Sequence, residues 1–320
     1  MIRVKLSPYW RNGHDGVSRY IRSLTGAFPQ DIRLVTDDSY EVLHLVDAHQ
    51  YDDEWKNAKR NGKKLVVTVH DLIPELYGLS GECYSGVAER AEVFSNADRI
   101  IAVSKKTKED IVKLYRISQD KITVVYNGGG EDHGMPEAGR QRLPQNYILW
   151  VGRRAGYKNF IWFVHAVAPL LWGRGLRVIC TGGQPFGRKE RLWMALHGVR
   201  GRFSLVDPDD STLCGLYANA YCLVMPSRYE GFGLPVVEAM SYGCPIVLPH
   251  DHVFPEIAEG AASWYEANNA PAFRRAVRQV GEGAFRQELI RRGRVRVAVF
   301  SWRKSADELL RVYREVTGLQ

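Results

Sequence analysis

The sequence predicts an α/β protein of two doubly wound domains, each a parallel sheet with helices on both faces. Three observations predict it. Short β-rich runs alternate with longer helical patterns along most of the 320 residues, the rhythm that builds parallel sheets with crossover helices. The runs are four to six residues long and apolar almost throughout, as a strand covered on both faces requires. The rhythm also stops over a polar, Gly-rich stretch, residues 128–146, and then restarts. A chain of this length with 45% hydrophobic residues can fill two cores.

In the first half the strands are expected at residues 2–6, 42–46, 65–69, 99–103 and 122–125, and in the second at 147–151, 176–180, 203–206, 221–225 and 245–248. Ser104 follows one of them and can cap a helix that runs through Ile111 and Leu114. Pro235 and Gly243 frame a short helix over 235–242, with Pro just inside its start and Gly just past its end. Near the end of the chain, Ser305 and Glu308 have capping-box spacing, and Ala306, Leu309, Tyr313 and Val316 make one apolar stripe. The domains are set at residues 1–135 and 140–300, with a hinge near 128–146.

Composition narrows the class. The five cysteines, Cys83, Cys180, Cys214, Cys222 and Cys244, show no CxxC spacing, which fits a reducing compartment. No apolar stretch approaches the roughly 18 residues of a membrane span, and the first residues, MIRVKLSPYWRNG, carry no signal-like core, so a soluble cytoplasmic protein is expected. The net charge of +8 is uneven: residues 1–140 carry 20 Lys and Arg against 21 Asp and Glu, and residues 141–320 carry 24 against 15. A basic half can attract nucleic acid, an anionic membrane or a phosphorylated small molecule. Its densest run, 274–296, reads as helical surface, with no clear amphipathic anchor. Nucleic acid is not expected, because that partner calls for aromatic residues interleaved with Arg along a groove.

The most informative segment is MPSRYEGFGLPVVEAMSYGCP, residues 225–245. A strand ends, a Gly-bearing loop turns, and a short helix begins, the place where open α/β sheets hold ligands. Gly231 and Gly233 allow close backbone approach, and the amides around Leu234, Pro235 and Val236 lie at the positive end of the helix. Glu230 before the loop and Glu238 one turn into the helix can accept hydrogen bonds from the hydroxyls of one extended ligand. A second segment, WVGRRAGYKN at 150–159, again follows a strand and sets Arg153 and Lys158 near a helix start. Two cations there can neutralise a diphosphate. Together the two segments describe a receptor for a sugar carried on a nucleoside diphosphate.

Glu230 and Glu238, with GFGLP between them, PSRY before and AMSYGCP after, resemble the E-x7-E signature of glycosyltransferase family 4. AVSKKTKEDIVKLY, ITVVYNG, ILWVGRRAGYKN, the VHD containing His70, and FSWRKSADELLRVYREV follow in that family's order. The resemblance implies the GT-B architecture, two facing Rossmann-like domains with a cleft between them, the helix at 303–320 crossing back to complete the first. It implies transfer of a hexose with retention from GDP-mannose or a UDP-hexose to a hydroxyl of a glycan or lipid-linked acceptor, in bacterial polysaccharide synthesis. Glu230 would bind the donor sugar and Glu238 the ribose. Arg153 and Lys158, aided by the amides around Phe232, Gly233 and Leu234, would stabilise the leaving diphosphate. His70 would face the sugar, and Gly16, in NGHDGVSRY, would let a loop approach the phosphates. No metal or other cofactor is expected, and any membrane contact would be peripheral, on the inner face. The first domain departs from the family in being compact and in carrying NGGGEDHG at 127–134, which leaves the role of Asn127 open.

Other readings are weaker. A glycosidase takes its two carboxylates from opposite sides of one bond, whereas one loop and its helix supply both here. A dinucleotide-binding enzyme needs G-x-G-x-x-G after the first strand, and only Gly13 and Gly16 are present. His250, Asp251 and His252 are adjacent, without a third ligand at metal-site spacing. A sugar-nucleotide epimerase, a phosphorylase, or a noncatalytic protein binding sugar nucleotides or polyanions would share the fold, but no residue pattern requires one.

Overall fold

The computed structural model describes residues 1–7, 16–46, 53–78, 87–129, 146–154 and 156–319. Met1–Gly128 with Phe300–Gln320 form one compact unit, and Gly129–Val299 form a second. Most of the stretch expected to carry the hinge, along with Gly13, Cys83 and the EDHG of the NGGGEDHG segment, lies outside the described residues.

The first unit contains β1 (Ile2–Ser7), α1 (Gly16–Gly26), β2 (Ile32–Leu34), β3 (Val42–Leu45), α2 (Glu54–Arg60), β4 (Lys64–Val69), α3 (Ile73–Tyr77), α4 (Val87–Asn96), β5 (Arg99–Ala102), α5 (Lys105–Tyr115) and β6 (Ile122–Val124). The sheet runs β2-β1-β3-β4-β5-β6, and every pair is parallel. β3 and β5 are buried nearly end to end, as strands between two helical layers must be. Ser104 caps α5 by accepting the Thr107 amide at 3.0 Å, one orphan donor satisfied at the place the sequence marks.

The last helix, Trp302–Thr317, belongs to this unit and packs on α1, and its buried residues include Ala306, Leu309 and Tyr313. Each buried Leu or Tyr of this kind stabilises by roughly 1.5–3 kcal/mol. The capping box expected at Ser305 and Glu308 is not formed. The helix starts one turn earlier, after Ser301, because Phe300 and Trp302 are both buried, edge-on to Tyr126 and Tyr20. Ser305 lies inside the helix, where its hydroxyl donates to the Tyr126 carbonyl at 2.6 Å.

A buried polar chain runs through this unit. His44 on β3 bonds the Tyr313 hydroxyl through Nδ1 at 2.6 Å and Thr68 through Nε2 at 2.8 Å. Thr68 also lies 3.5 Å from the Tyr20 hydroxyl. Burial, and to a lesser degree the facing His70, push the His44 imidazole down to about 3, so it stays neutral. Burial pushes Tyr20 up to about 12.

The second unit contains β7 (Tyr147–Val151), α6 (Phe160–Gly173), β8 (Arg177–Thr181), α7 (Arg188–Leu196), β9 (Phe203–Val206), α8 (Asp210–Asn219), β10 (Cys222–Val224), α9 (Leu234–Ser241), β11 (Ile246–Pro249), α10 (Phe254–Ala258), β12 (Ala262–Tyr265), α11 (Ala270–Gln279) and α12 (Gly283–Val297). Its all-parallel sheet runs β12-β11-β10-β7-β8-β9. Trp150, Phe160, Phe163, Phe203 and Phe273 interlock at its core, mostly edge to face. Strand order reverses between β7 and β10, which are neighbours, so the loops leaving their C-terminal ends lie side by side.

Candidate functional site

The two segments singled out in the sequence are those two loops. The β10 loop rises from Met225 to Gly233, and α9 begins at Leu234 with Pro235 next in line. Gly233 caps the helix at φ +87°, a left-handed conformation that glycine adopts freely. The amides of Gly233 and Leu234 find no acceptor among the described residues, as the first turn of a helix leaves them. Gly231 and Phe232 are buried beneath them.

The β7 loop turns at Gly152, φ +104°, and reaches α6 through a short helical turn, Gly156–Lys158, with Asn159 as the cap at φ +63°. Asn159 is held from the side by Asn268, Nδ2 to Oδ1 at 3.0 Å. The Arg228 amide donates to the Tyr157 carbonyl at 2.8 Å, which joins the two loops backbone to backbone. The side chains then close the junction: Lys158 Nζ lies 2.5 Å from Glu230 Oε1, with the two side chains 14% and 10% exposed. That degree of burial separates the pair from an ordinary surface salt bridge, which is worth little.

Glu238 is held from below. The hydroxyl of Tyr217, on α8, donates to Glu238 Oε2 at 2.6 Å, and the Tyr217 ring stacks on Tyr242, 6.0 Å between centroids and 8° from parallel. This orients the carboxylate before any ligand arrives. Nothing in the sequence pairs Tyr217 with Glu238, since the contact depends on how α8 lies against α9.

The adjacent arginines divide. Arg154 is nearly buried: it bonds Glu190 at 2.9 Å, donates to the Gly182 carbonyl at 3.2 Å and to that of Gln184, and stacks over Phe186 at 4.7 Å. It ties the β7 loop to the β8 loop. Arg153 is exposed and has no partner among the described residues, which leaves its guanidinium available to an anion. Arg228, next to the Lys158 and Glu230 pair, is exposed likewise.

In the first unit, His70 follows β4, and its Nε2 donates to the Val46 carbonyl at 2.8 Å. Tyr20 meets its ring edge-on at 4.6 Å. Through Tyr20 and Thr68 it adjoins the buried chain that ends at Tyr313. Gly16 opens α1, exposed, with nothing among the described residues within 4 Å of where a Cβ would stand. Asn127 is buried, and its Oδ1 has no hydrogen-bond partner among the described residues.

Among the described residues no group of three His, Cys, Asp or Glu is placed to hold a metal ion. Asp251 and His252 lie 3.5 Å apart, and the His252 ring meets buried Tyr229. Cys180, Cys214, Cys222 and Cys244 are buried free thiols, and burial pushes Cys244 up to about 12, a structural rather than reactive state.

The Glycosyltransferase Family 4 model matches residues 10–128, and the Glycosyl transferases group 1 model matches residues 145–282. The O-antigen chain mannosyltransferase B of Escherichia coli is 27% identical over 79% of this chain and 70% of its own. The O-antigen chain mannosyltransferase RfbU of Salmonella typhimurium is 26% identical over 67% of this chain, which spans only 60% of that relative. Among solved structures, sucrose-phosphate synthase from Thermosynechococcus elongatus superposes with a TM-score of 0.77 at 19% identity, covering 99% of this chain and 100% of that one. Anabaena HepE in complex with UDP and glucose gives 0.76 at 14% identity, covering 98% and 99%. With two all-parallel six-stranded sheets in the GT-B pattern and both halves matched, the chain belongs to glycosyltransferase family 4.

Proposed function

We propose that the protein transfers a hexose, with retention at the anomeric carbon, from a nucleoside diphosphate to a hydroxyl of a glycan or lipid-linked acceptor in bacterial polysaccharide synthesis. GDP-mannose is the first donor to test, because the relatives described above are mannosyltransferases; UDP-hexoses are the alternative. The observation that carries this reading is the junction at the strand-order reversal, where Lys158 and Glu230 meet beside the free amides of Gly233 and Leu234.

In this reading Arg153, Lys158 and those amides receive the diphosphate, and charge growing on it as it departs meets donors already in place. Glu230 takes hydroxyls of the donor sugar, with Gly231 and Phe232 shaping the turn beneath, and Pro235 fixes the first turn of α9 behind the amides. Glu238, aimed by Tyr217, accepts from the ribose. His70 serves the donor sugar, and Gly16 lets backbone approach the phosphates. The bond between the anomeric carbon and the diphosphate oxygen breaks, its electron pair leaving with the diphosphate. The acceptor oxygen bonds to the same face, and its proton passes to the departing phosphate. Fixed cations replace a metal ion, so activity should persist in EDTA. A lipid-linked acceptor would place the enzyme at the inner face of the membrane.

The test is a thermal-shift and calorimetric series with UDP, GDP, ADP, dTDP and their sugar conjugates, without metal and then with Mg²⁺. Metal-independent stabilisation by one nucleotide supports the site and names the base; no stabilisation by any of them overturns it. Glu230→Ala should lower turnover by orders of magnitude, and near-normal rates at saturating donor would remove Glu230 from its role.

A further inference from the structure

The densest basic run in the sequence, 274–296, is largely engaged within the protein. Arg286 donates to the Tyr221 carbonyl at 2.6 Å, Arg296 to that of Ile257 at 2.9 Å, and Arg291 and Arg292 share Glu288. A second basic region is engaged only in part, with Arg191 donating to the Phe186 carbonyl and Arg202 stacked on Trp172. Between Trp172 and Arg202 the chain carries seven Lys and Arg against one acid, Glu190, whose carboxylate is held by Arg154 at 2.9 Å and by the Gly187 amide at 2.6 Å. Arg188, Lys189 and Arg200 are exposed and form no ion pair among the described residues.

This region is also apolar on its outer face. Met194 is the buried residue of α7, with Trp193 packed beside it against the core. The opposite face presents Leu192 and Leu196, 58% and 69% exposed. Arg188, Leu192 and Leu196 are spaced four apart and so form one stripe along the helix. Trp172, at the end of α6, is 57% exposed, the one aromatic among the strongly exposed large hydrophobic side chains of the described residues. It belongs to the same patch: a Cβ at Gly198, two residues past α7, would touch its indole at 3.7 Å, and the Arg202 guanidinium sits 5.1 Å over its ring.

From these observations we propose that the outer face of α7, with Trp172 and its basic rim, docks on an anionic phospholipid bilayer. Leu and Trp side chains enter the headgroup boundary while Arg and Lys meet lipid phosphates, the arrangement of interfacial anchors. Charge selects this occupant. A second copy of the chain would bring one unneutralised cationic patch against another, whereas an anionic bilayer offers both the opposite charge and an apolar layer beneath it. Bound there, α7 would also carry the donor loops with it, since its Glu190 grips Arg154 of the β7 loop. The lipid-linked acceptor proposed above gives the contact a purpose, but the surface stands on its own geometry.

The experiment is flotation of the full chain with vesicles of phosphatidylcholine alone and with 30% phosphatidylglycerol. Binding to the anionic vesicles only, weakened by 0.5 M salt, is expected. Leu192→Ser with Leu196→Ser should reduce it at least tenfold, as should Arg188→Glu with Lys189→Glu, with thermal unfolding and nucleotide binding unchanged as the check on folding. Equal binding to both vesicle types, no binding, or undiminished binding by both variants overturns the proposal. So does a wild-type dimer in sedimentation that the leucine changes dissociate, which would assign the face to a second copy. Failure to bind nucleotide with vesicle binding intact would refute the donor site alone.

Discussion

Replacing Lys158 by Met removes a cation while keeping most of its stem, so the loss is the charge pair and little packing. Glu230, a buried residue, then holds a carboxylate with no cationic partner among the described residues. Breaking a buried pair from one side costs roughly 3–5 kcal/mol. Because the two side chains retain 14% and 10% of their exposure, the lower end applies, about 3 kcal/mol. Glu230→Gln leaves an ammonium that a flexible stem can carry toward water, and should cost about 1–2 kcal/mol. The double variant removes both charges and should cost about 2 kcal/mol less than the singles combined. Urea denaturation of the four proteins at pH 7 measures this coupling, and calorimetric titration of the same four with GDP and UDP separates the roles. Lys158→Met should lose at least tenfold in nucleoside diphosphate affinity, while Glu230→Gln, which frees Lys158, should lose none. Single effects that add within about 0.5 kcal/mol would refute the coupling, and equal loss of affinity in both would refute the assignment of Glu230 to the sugar.

Tyr217→Phe removes the hydroxyl that aims Glu238; nucleoside diphosphate affinity should fall about tenfold by calorimetry, from one lost charge-assisted hydrogen bond of roughly 1.5–3 kcal/mol. Gly16→Ala meets nothing within 4 Å among the described residues, so its melting temperature should stay unchanged and any rise in donor KM reports backbone approach to the phosphates. Gly128→Ala sets a Cβ 2.3 Å from the Trp302 backbone nitrogen and should destabilise by about 3 kcal/mol or more, seen as a lowered melting temperature. His44 is held near 3 in the fold against 6.5 when free, so its contribution is complete above pH 6.5 and is lost as pH falls toward 3. At pH 5 the loss is about 2 kcal/mol; the difference between pH 7 and pH 5 in wild type should shrink by that amount in His44→Gln, measured by urea denaturation.

The central strands and the two site loops were legible because a strand buried on both faces must be a run of apolar residues, and because loops at a strand-order reversal must turn on glycine. Of the four edge strands, β6 and β9 were legible as well, and β2 and β12 were not. Each has a single neighbour, and IRL and ASWY lack the continuous apolar run that marks a central strand. The last helix was legible as an amphipathic stripe, but its start was not, since burial of Phe300 and Trp302 outweighed the capping spacing of Ser305 and Glu308. Arg153 and Arg154 are indistinguishable in the sequence. Only the positions of Phe160, Phe186 and Glu190 show that Arg154 binds the scaffold while Arg153 faces outward. Tyr217 and the α7 face were missed for the same reason, because each depends on which side of a helix packing leaves open.

The glycines at 128 and 129 have a packing explanation. A Cβ at Gly128 would collide with Trp302, and one at Gly129 would lie 2.2 Å from Val237 Cγ1. Val237 directly precedes Glu238 on α9, and Trp302 meets Tyr20, which in turn meets His70. A larger side chain at either glycine would therefore press, through one neighbour, on a support of a proposed site residue. At Gly128 and Gly129 the backbone leaving β6 runs so close to those supports that only glycine fits.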